Sequence, residues 1–355
     1  MKFLRLAFYV LIAQLVLSGC AGEGVEETSS SSSSEINFDA YLGRNASTRA
    51  GVTDIVSLKK SGFGVFARYK HNGATSPLMD NERVTWNEKE NRWGYTNTRY
   101  WPNEGSVDFY AFAPYLENVE LVKDPKSNDA NPTYIEFISS TSSVDLVWGA
   151  KTGKTAPTSQ TPDSKVKFQF KHALARLAFD ITANQKLEEN GAVIKIEEMK
   201  LYGNSENEGA FDIKGYLNLE NGTWSVDTYM STRAVYTWTP TGAEDGTNFK
   251  LSASQLDHTC EKIENASNSY LCIIPQEKHY PFYLQITYTV QQGSFQEKKK
   301  VTVGKNLLDV HKPFKFEQGK AYVFHLILSL DPIDFSISTT VGDWIGNVVE
   351  DEITI

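Results

Sequence analysis

Apolar residues recur at every second position along most of the chain, and this alternation predicts β-strands. The clearest early case is the segment 35–42, where the apolar positions are Ile36, Phe38, Ala40 and Leu42. These positions would share one face, because successive side chains of a strand point to opposite sides of a sheet. Aromatic residues make up 12% of the chain, which also favours strands. No segment has a helical period beyond a turn or two, so we predict an all-β protein.

Local patterns also predict how some strands pair. The apolar phase of 193–203 slips near Glu197–Glu198, which indicates a β-bulge. The segments 210–219 and 222–226 look like a hairpin, and 282–290 is expected to pair with 298–304 across a turn near Gln292–Ser294. Residues 321–330 are apolar on both faces and predict a central strand.

The chain is long enough for two domains. Residues 151–165 have no apolar periodicity and contain two prolines, which is typical of a boundary. About seven short strands on each side of it predict two β-sandwiches in tandem, 35–160 and 161–355.

The first 19 residues have the form of a secretory signal: a basic start, an apolar run at 6–17 and small residues before Cys20. Leu17-Ser18-Gly19-Cys20 matches the lipoprotein box, in which the cysteine is diacylated after cleavage. Two acyl chains anchor a protein stably. We therefore expect attachment to the outer membrane through Cys20, with the acidic, serine-rich residues 20–34 as a flexible tether.

Cys260 and Cys272 are the two remaining cysteines. Export to an oxidising compartment permits a disulfide between them, but sequence spacing does not establish its geometry, and free thiols remain the alternative. One such pair is not a zinc signature.

The formal net charge of −9 argues against a nucleic-acid partner, because phosphates require clustered basic residues. The six histidines are scattered, and no nucleophile or phosphate-loop motif is present, so we expect neither an enzyme nor a cofactor. The aromatic side chains near position 97 are either buried core or a platform that stacks on sugars. They are Trp93, Tyr95, Tyr100 and Trp101.

The segment "GRNASTRAG" (43–51) places two arginines among small polar residues, directly after the first predicted strand. An exposed, extended backbone of this composition suits a protease, and Arg49 is the better placed of the two. A hairpin turn that is never cut is the alternative.

With these features in view, the chain resembles, over essentially its whole length, the fimbrillin family of Bacteroidetes, the type V pilins. The resemblance rests on the order and spacing of several stretches. They are "LSGC" (17–20), "INFDAY" (36–41) followed by "STRAG" (47–51), "FGVFARY" (63–69), "YWPNEGSVDFYAFAPY" (100–115), "DLVWGA" (145–150), "FKHALARLAFDI" (170–181), "YLCIIPQ" (270–276), and "AYVFHLILSL" (321–330) leading to "VGDW" (341–344).

The resemblance implies a lipoprotein precursor with two transthyretin-like β-sandwich domains. In polymerising members an arginine-specific protease cuts the loop after the first strand, the strand is lost, and a strand of another subunit fills the groove. In this chain the cut would fall between Arg49 and Ala50, with Arg44 as the less favoured site. The released strand would carry Ile36, Phe38, Ala40 and Leu42.

The C-terminal tail, about 333–355, is the candidate donor strand. One apolar run comprises Phe335, Ile337, Thr339 and Val341, and a second comprises Val349, Ile353 and Ile355 with Asp351 among them. If the tail instead folds back onto its own domain, the subunit could not donate and would occupy a tip or accessory position. The alternative function is a surface-anchored lipoprotein of the same fold that binds glycan or a host surface without polymerising.

Overall fold

The computed structural model describes the chain in segments, all of which belong to one compact unit spanning 33–355. These segments are 34–42, 55–126, 131–139, 144–158, 164–183, 193–226, 233–238, 250–251, 270–278, 281–292, 295–302, 314–328, 336–343 and 352–353. Within these segments, no helix is long and apolar enough to cross a membrane.

The described elements are strands with a single short helix among them. In the first half they are β1 (Phe38–Leu42), α1 (Ile55–Ser61), β2 (Phe63–His71), β3 (Ala74–Asn87), β4 (Arg92–Gly94), β5 (Ser106–Ala113), β6 (Leu121–Val122), β7 (Tyr134–Ile138), β8 (Val147–Lys154) and β9 (Val166–His172). From residue 175 onward they are β10 (Ala175–Ala183), β11 (Val193–Tyr202), β12 (Phe211–Asp212), β13 (Lys214–Asn218), β14 (Trp224–Ser225), β15 (Arg233–Ala234), β16 (Tyr236–Trp238), β17 (Lys250–Leu251), β18 (Tyr270–Ile273), β19 (Gln276–Lys278), β20 (Tyr283–Gln292), β21 (Phe295–Thr302), β22 (Phe314–Phe316), β23 (Lys320–Leu328), β24 (Ser336–Asp343) and β25 (Glu352–Ile353).

The all-β prediction is confirmed, and so are the local pairings. The register between β11 and β20 shifts between Ile196 and Glu198, which places the extra residue of the bulge at Glu197. Strand β13 pairs with β14, and β20 with β21, both antiparallel. Strand β23 lies inside its sheet, between β10 and β24.

Two sheets form a sandwich around the first part of the chain. A seven-stranded sheet has the order β1-β9-β8-β5-β2-β3-β4, and a four-stranded sheet has the order β14-β13-β7-β6. The sheets pack together through residues such as Phe112, Trp148, Phe137 and Leu217. The β2–β3 hairpin turns at Asn72-Gly73, both with positive φ, as the type I′ turn requires.

The other face of the seven-stranded sheet has a core of its own, which α1 helps to cover through Leu58. This core includes side chains of β1, among them Phe38, and side chains of β9, among them Phe168. The first strand is therefore an integral part of a hydrophobic core, although it lies at the end of the strand order.

The later strands form two five-stranded arrangements. One sheet has the order β18-β10-β23-β24-β25, and the other has the order β16-β11-β20-β21 with β17 also paired to β11. Between the later elements lies a cluster of buried rings, in which Phe316 contacts Phe211 and Tyr322 with centroids 5.4 and 4.9 Å apart. Burial of these rings stabilises this part of the fold.

Strands on the two sides of the boundary predicted between residues 160 and 161 pair with one another. Strand β9, on its C-terminal side, joins β8 and β1 in the seven-stranded sheet, and β13 pairs with β7. The chain changes sheets between β9 and β10 instead, at residues 173–174. The segment 151–165 lacks apolar periodicity because it holds the exposed end of β8 and a connection within one sheet. The arrangement as two tandem domains stays a prediction.

Candidate functional site at the first strand

One edge of β1 is held by main-chain bonds to β9. The two strands run parallel, with Phe38 opposite Val166 and Leu42 opposite Phe170. The Val166 amide donates to the Asn37 carbonyl at 2.8 Å. A parallel pair of this kind needs a long connection, and here the two strands are far apart in the sequence.

The start of the strand is held on its other side by residues 99–101, which follow β4. The Ile36 amide donates to the Arg99 carbonyl at 2.8 Å, and the Trp101 amide donates to the Ser34 carbonyl at 2.9 Å. These two bonds flank an antiparallel bridge between Glu35 and Tyr100. We call the channel between β9 and residues 99–101 the β1 groove.

The phenol of Tyr95 completes this second edge. Its hydroxyl donates to the Ile36 carbonyl at 2.7 Å and accepts from the Arg99 amide at 3.1 Å. In a regular antiparallel ladder the Arg99 amide would bond directly to the Ile36 carbonyl. The Tyr95 hydroxyl stands between those two groups. Burial raises the pKa of Tyr95, so the hydroxyl keeps the proton that it donates.

The side chains of residues 36–42, which comprise β1 and the two residues before it, alternate between the core and the surface, as the sequence predicts. Ile36, Phe38 and Ala40 are 1%, 2% and 5% exposed, whereas Tyr41 is 43% exposed. Leu42 is partly buried against the same core. Burial of a large apolar side chain is worth about 1.5–3 kcal/mol, so Ile36 and Phe38 together bind the strand by several kcal/mol.

An aromatic pocket surrounds Phe38. Its ring stacks on Phe168 with centroids 5.8 Å apart and also packs against Tyr95 at 5.4 Å. Phe109 and Phe63 approach its ring edge-on at 6.0 and 6.4 Å. Such ring pairs add about 0.5–1.5 kcal/mol each to the burial of area. Phe38 is therefore the main side-chain anchor of β1.

The predicted processing and lipidation sites fall outside the described residues. Strand β1 ends at Leu42 and α1 begins at Ile55, so the intervening residues connect the first strand to the rest of the fold. Arg44, Arg49 and Ala50 belong to this connection, and Cys20 lies before the first described residue. Cleavage and lipidation stay predictions.

The tail does not extend freely from the fold over its described part. Ser336–Asp343 pairs along its length with β23, and this strand includes Ile337, Thr339 and Val341 of the first donor run. In β25, Ile353 pairs with Thr339. Phe335, Val349 and Ile355 lie outside the described residues. Of the two arrangements left open by the sequence, the described residues adopt the folded-back one.

The sugar-stacking platform is wrong for the two tryptophans. Trp93 and Trp101 are each only 4% exposed, in the core that also holds Phe38. Trp93 packs edge-on against Phe63 at 4.9 Å, and Trp101 against Phe109 at 5.5 Å. Both indoles contact other rings of the core, and the Tyr95 hydroxyl binds the first strand.

The remaining titratable candidates are structural. Cys272 is a buried free thiol whose pKa burial raises, and Cys260 lies outside the described residues. The structure therefore favours the free-thiol alternative at Cys272. Nδ1 of buried His172 lies 3.0 Å from Oδ1 of buried Asp145, which satisfies a histidine in the interior. In the part of the chain that is described, no group of three or more acidic, histidine or cysteine side chains could hold a metal.

Sequence reasoning missed the walls of the β1 groove. Tyr95 follows β4 in a short connection without apolar periodicity, so no pattern marks its hydroxyl as a main-chain partner. The sequence predicts strands that include Phe63, Phe109 and Phe168, but only the sheet topology brings these rings around Phe38.

Comparison with known proteins gives a consistent result. The model of the fimbrillin-like family matches residues 48–344. The fimbrium subunit Fim1C of Phocaeicola vulgatus is 24% identical, with 94% of this chain and 95% of that protein covered. The crystal structure of a fimbrial protein from Bacteroides vulgatus has a TM-score of 0.58 and 21% identity, and the match covers 87% of this chain and 99% of that one. The structural likeness supports the fold.

Proposed function

Because the chain belongs to the fimbrillin-like family, we propose that it is the precursor of a fimbrial subunit that assembles by strand exchange at the β1 groove. In this proposal the chain is exported, lipidated at Cys20 and anchored in the outer membrane at the cell surface. An arginine-specific protease then cuts between Arg49 and Ala50. Strand β1 leaves, and a strand from another fimbrial subunit takes its place.

The observation that carries the proposal is how β1 is held. Hydrogen bonds fix the main chain of residues 34–42 to β9 and to residues 99–101, and the side chains of Ile36, Phe38 and Ala40 fill a hydrophobic core. It is therefore bound as a β-strand ligand would be, through backbone hydrogen bonds and alternate side-chain pockets. Its removal would expose apolar pockets and an unpaired edge of β9. A second strand could fill the pockets with its side chains and pair with that edge.

The tail supports an acceptor role. To donate β24, the subunit would have to break an eight-residue pairing with β23, and the main-chain bonds gained in a neighbour would only replace those lost. Because a subunit whose tail stays folded onto its own domain cannot donate, this favours a tip or accessory subunit. Such a subunit receives a strand in the β1 groove and gives none.

Cleavage is tested by incubating the full chain with an arginine-specific protease and sequencing the new N-terminus. We expect Ala50 as the new N-terminal residue. Arg49→Lys should block the cut, and Arg44→Lys, the matched control, should leave it unchanged. A folded chain that resists the protease at both arginines would contradict the proposal.

The acceptor role has its own test. The cleaved chain alone should stay monomeric in size-exclusion chromatography, because the described part of the tail is paired within its own subunit. Self-polymerisation into filaments after cleavage, seen by electron microscopy, would show that β24 or the residues after it can donate.

The lipid anchor is tested by labelling with a palmitate analogue, and the substitution Cys20→Ala should abolish that labelling.

The glycan-binding alternative loses the feature that motivated it. Trp93 and Trp101 are buried, so no flat pair of exposed indole rings is available in that region. We therefore do not retain it as a second function.

A further inference from the structure

We propose that strand exchange in the β1 groove begins at the Leu42 end of the first strand, where the carboxylate of Asp39, rather than a neighbouring strand, holds the second edge. The incoming strand would pair with β9 at that end first and displace β1 progressively toward Ile36. This inference rests on the proposed strand exchange, and it deepens that proposal by specifying where the partner strand enters.

The main-chain groups of alternate residues in the first strand face the second edge, away from β9. Those of Ile36 do so, because its amide donates to the Arg99 carbonyl. In an extended strand, residues that are two or four positions apart direct their amides to the same edge. The amide of Ala40 therefore also points away from β9, and the two amides can be compared directly, one near each end of the strand.

At the Ile36 end, other parts of the chain close the second edge. The Ile36 amide donates to the Arg99 carbonyl at 2.8 Å, and the Trp101 amide donates to the Ser34 carbonyl at 2.9 Å. The Tyr95 hydroxyl donates to the Ile36 carbonyl at 2.7 Å. This end is therefore held from both sides, by β9 on one edge and by these residues on the other.

At the Leu42 end, the corresponding amide has a different acceptor. The Ala40 amide donates to Oδ1 of Asp39, its own neighbour on the strand, at 2.9 Å. A local side-chain acceptor of this kind competes with main-chain pairing and is exchanged at the cost of about one hydrogen bond. A charged side chain on a strand edge also discourages pairing with other chains. Asp39 thus closes this end in the precursor without tying it to another strand.

The side chains are also less firmly anchored at the Leu42 end. Ile36 and Phe38 are large and fully buried, whereas Ala40 is buried but small. Leu42 is only partly buried, and Tyr41 beside it is 43% exposed. Less apolar area leaves the core when this end opens, so its local opening costs less than opening of the Ile36 end.

The proposed cut lies on the same side as this weaker end. Arg49 follows Leu42 in the chain, so cleavage there creates a free chain end close to Leu42. Local opening then uncovers the edge of β9 at Phe170, which lies opposite Leu42. An incoming strand can pair with this short edge while Ile36 and Phe38 still fill the core, so the groove need not be emptied before the partner binds.

Hydrogen exchange in the uncut full chain tests the difference between the two ends. We expect the protection factor of the Ile36 amide to exceed that of the Ala40 amide by at least about 10-fold, equivalent to roughly one to two net hydrogen bonds. Asp39→Ala should also speed exchange at Tyr41, whose amide faces β9, because the whole end opens. Asp39→Asn keeps an acceptor oxygen and should restore most of the protection. Equal protection of the Ile36 and Ala40 amides would show that the strand opens as one unit and would overturn the inference.

The order of pairing is tested by the uptake of a labelled peptide with the sequence of residues 34–42. A recognition sequence for a site-specific protease replaces residues 47–50 of the full chain, so that the strand is cut without the natural enzyme. We expect Leu42→Ala in the peptide to slow uptake by roughly 3- to 10-fold and Ile36→Ala by less than about 2-fold, because only contacts formed before the rate-limiting step change the forward rate. If burial alone determined uptake, the order would be reversed, since Ile36 is the more buried of the two.

The outcomes separate this inference from the proposed function. Uptake that is slowed equally by both substitutions, or more by Ile36→Ala, would overturn the entry point and leave strand exchange intact. Failure of a folded, cut chain to take up any peptide would contradict strand exchange itself and the inference with it. A natural chain that resists the protease at Arg49 would contradict only the proposed maturation.

The role of Asp39 is measured in the same assay. Asp39→Ala in the resident strand should speed uptake of the unaltered peptide by roughly 2- to 10-fold, the effect of losing about one net hydrogen bond. A lower melting temperature with an unchanged uptake rate would show that Asp39 serves stability alone and would overturn its role at the entry point.

Discussion

The ring of Phe38 in the first strand stacks on the ring of Phe168 in β9, with centroids 5.8 Å apart and an interplanar angle of 23°. Residue 38 is thereby joined to the core by a contact that depends on topology alone, since the two residues are far apart in the chain. We predict that Phe38→Ala lowers the free energy of unfolding by about 3–5 kcal/mol, because it empties a fully enclosed aromatic pocket. Denaturation in urea measures this loss.

Tyr41→Ala is the matched control for Phe38→Ala. Tyr41 lies on the same strand but on its outer face and is 43% exposed. Its removal should change the free energy of unfolding by about 0.5 kcal/mol or less, as is usual for surface positions. Equal effects of the two substitutions would mean that β1 is not held through its inner face.

A second prediction concerns the contact between Gly222 and Trp148. Gly222 has a φ of +81°, and a Cβ there would lie 2.0 Å from the Trp148 ring. Gly222→Ala must therefore move the indole in the core between the two N-terminal sheets. We expect a loss of about 2–4 kcal/mol, from backbone strain and overpacking together.

Gly153→Ala separates the two contributions in that prediction. Gly153 also has a positive φ, +63°, but nothing lies within 4 Å of an added Cβ. It should cost only the strain of about 1 kcal/mol. If thermal melts show the two alanine variants to be equally stable, Trp148 can move aside without cost, contrary to the prediction.

The sequence allowed much of the local structure to be predicted and little of its assembly. The alternation at Ile36, Phe38 and Ala40 identified both the first strand and its buried face. The phase slip at Glu197 identified a bulge. Both signals are carried by neighbouring residues, and the period of side chains along a strand does not depend on what the strand packs against.

Assembly depends on contacts between distant residues, which local sequence patterns do not report. The stretch after β8 has the composition of a domain linker, yet β9 lies in the same sheet, between β1 and β8. Trp93 and Trp101 are aromatic residues that could stack on a sugar, yet both are buried in the core that holds Phe38. Composition reports what a residue can contact, whereas topology decides what it does contact.

A third prediction is a dependence on pH in the alkaline range. Burial raises the pKa of Tyr322 from its ordinary value of 10.0 to about 12. Its hydroxyl accepts a hydrogen bond from the Glu317 amide and donates one to the Lys315 carbonyl. The folded state holds this proton more tightly than the unfolded state. Its contribution to stability is therefore complete below pH 10 and is lost as the pH rises toward 12.

The effect of Tyr322 is isolated by comparison with Tyr322→Phe. The difference in unfolding free energy between wild type and this variant should shrink by about 2–3 kcal/mol between pH 10 and pH 12. Because the other tyrosines titrate equally in both proteins, their effects cancel. A difference that stays constant over this range would mean that the Tyr322 phenol titrates alike in the folded and unfolded states.

The last prediction concerns the tail, where two truncations distinguish a structural strand from a detachable one. Removal of 344–355 takes away only two described residues that pair with β24, at the edge of the sheet. It should lower the free energy of unfolding by about 2 kcal/mol or less, because few main-chain bonds are lost.

Removal of 336–355 also deletes β24 and leaves one whole edge of the central strand β23 unpaired. This larger truncation should lower the melting temperature far more, and the exposed β23 edge should make the protein prone to associate, because an unpaired strand edge is a template for another chain. Equal melting temperatures for the two truncations would show that β24 is dispensable to its own subunit. In that case the strand would be free to donate, and the subunit would belong within the fimbrial stalk rather than at its tip.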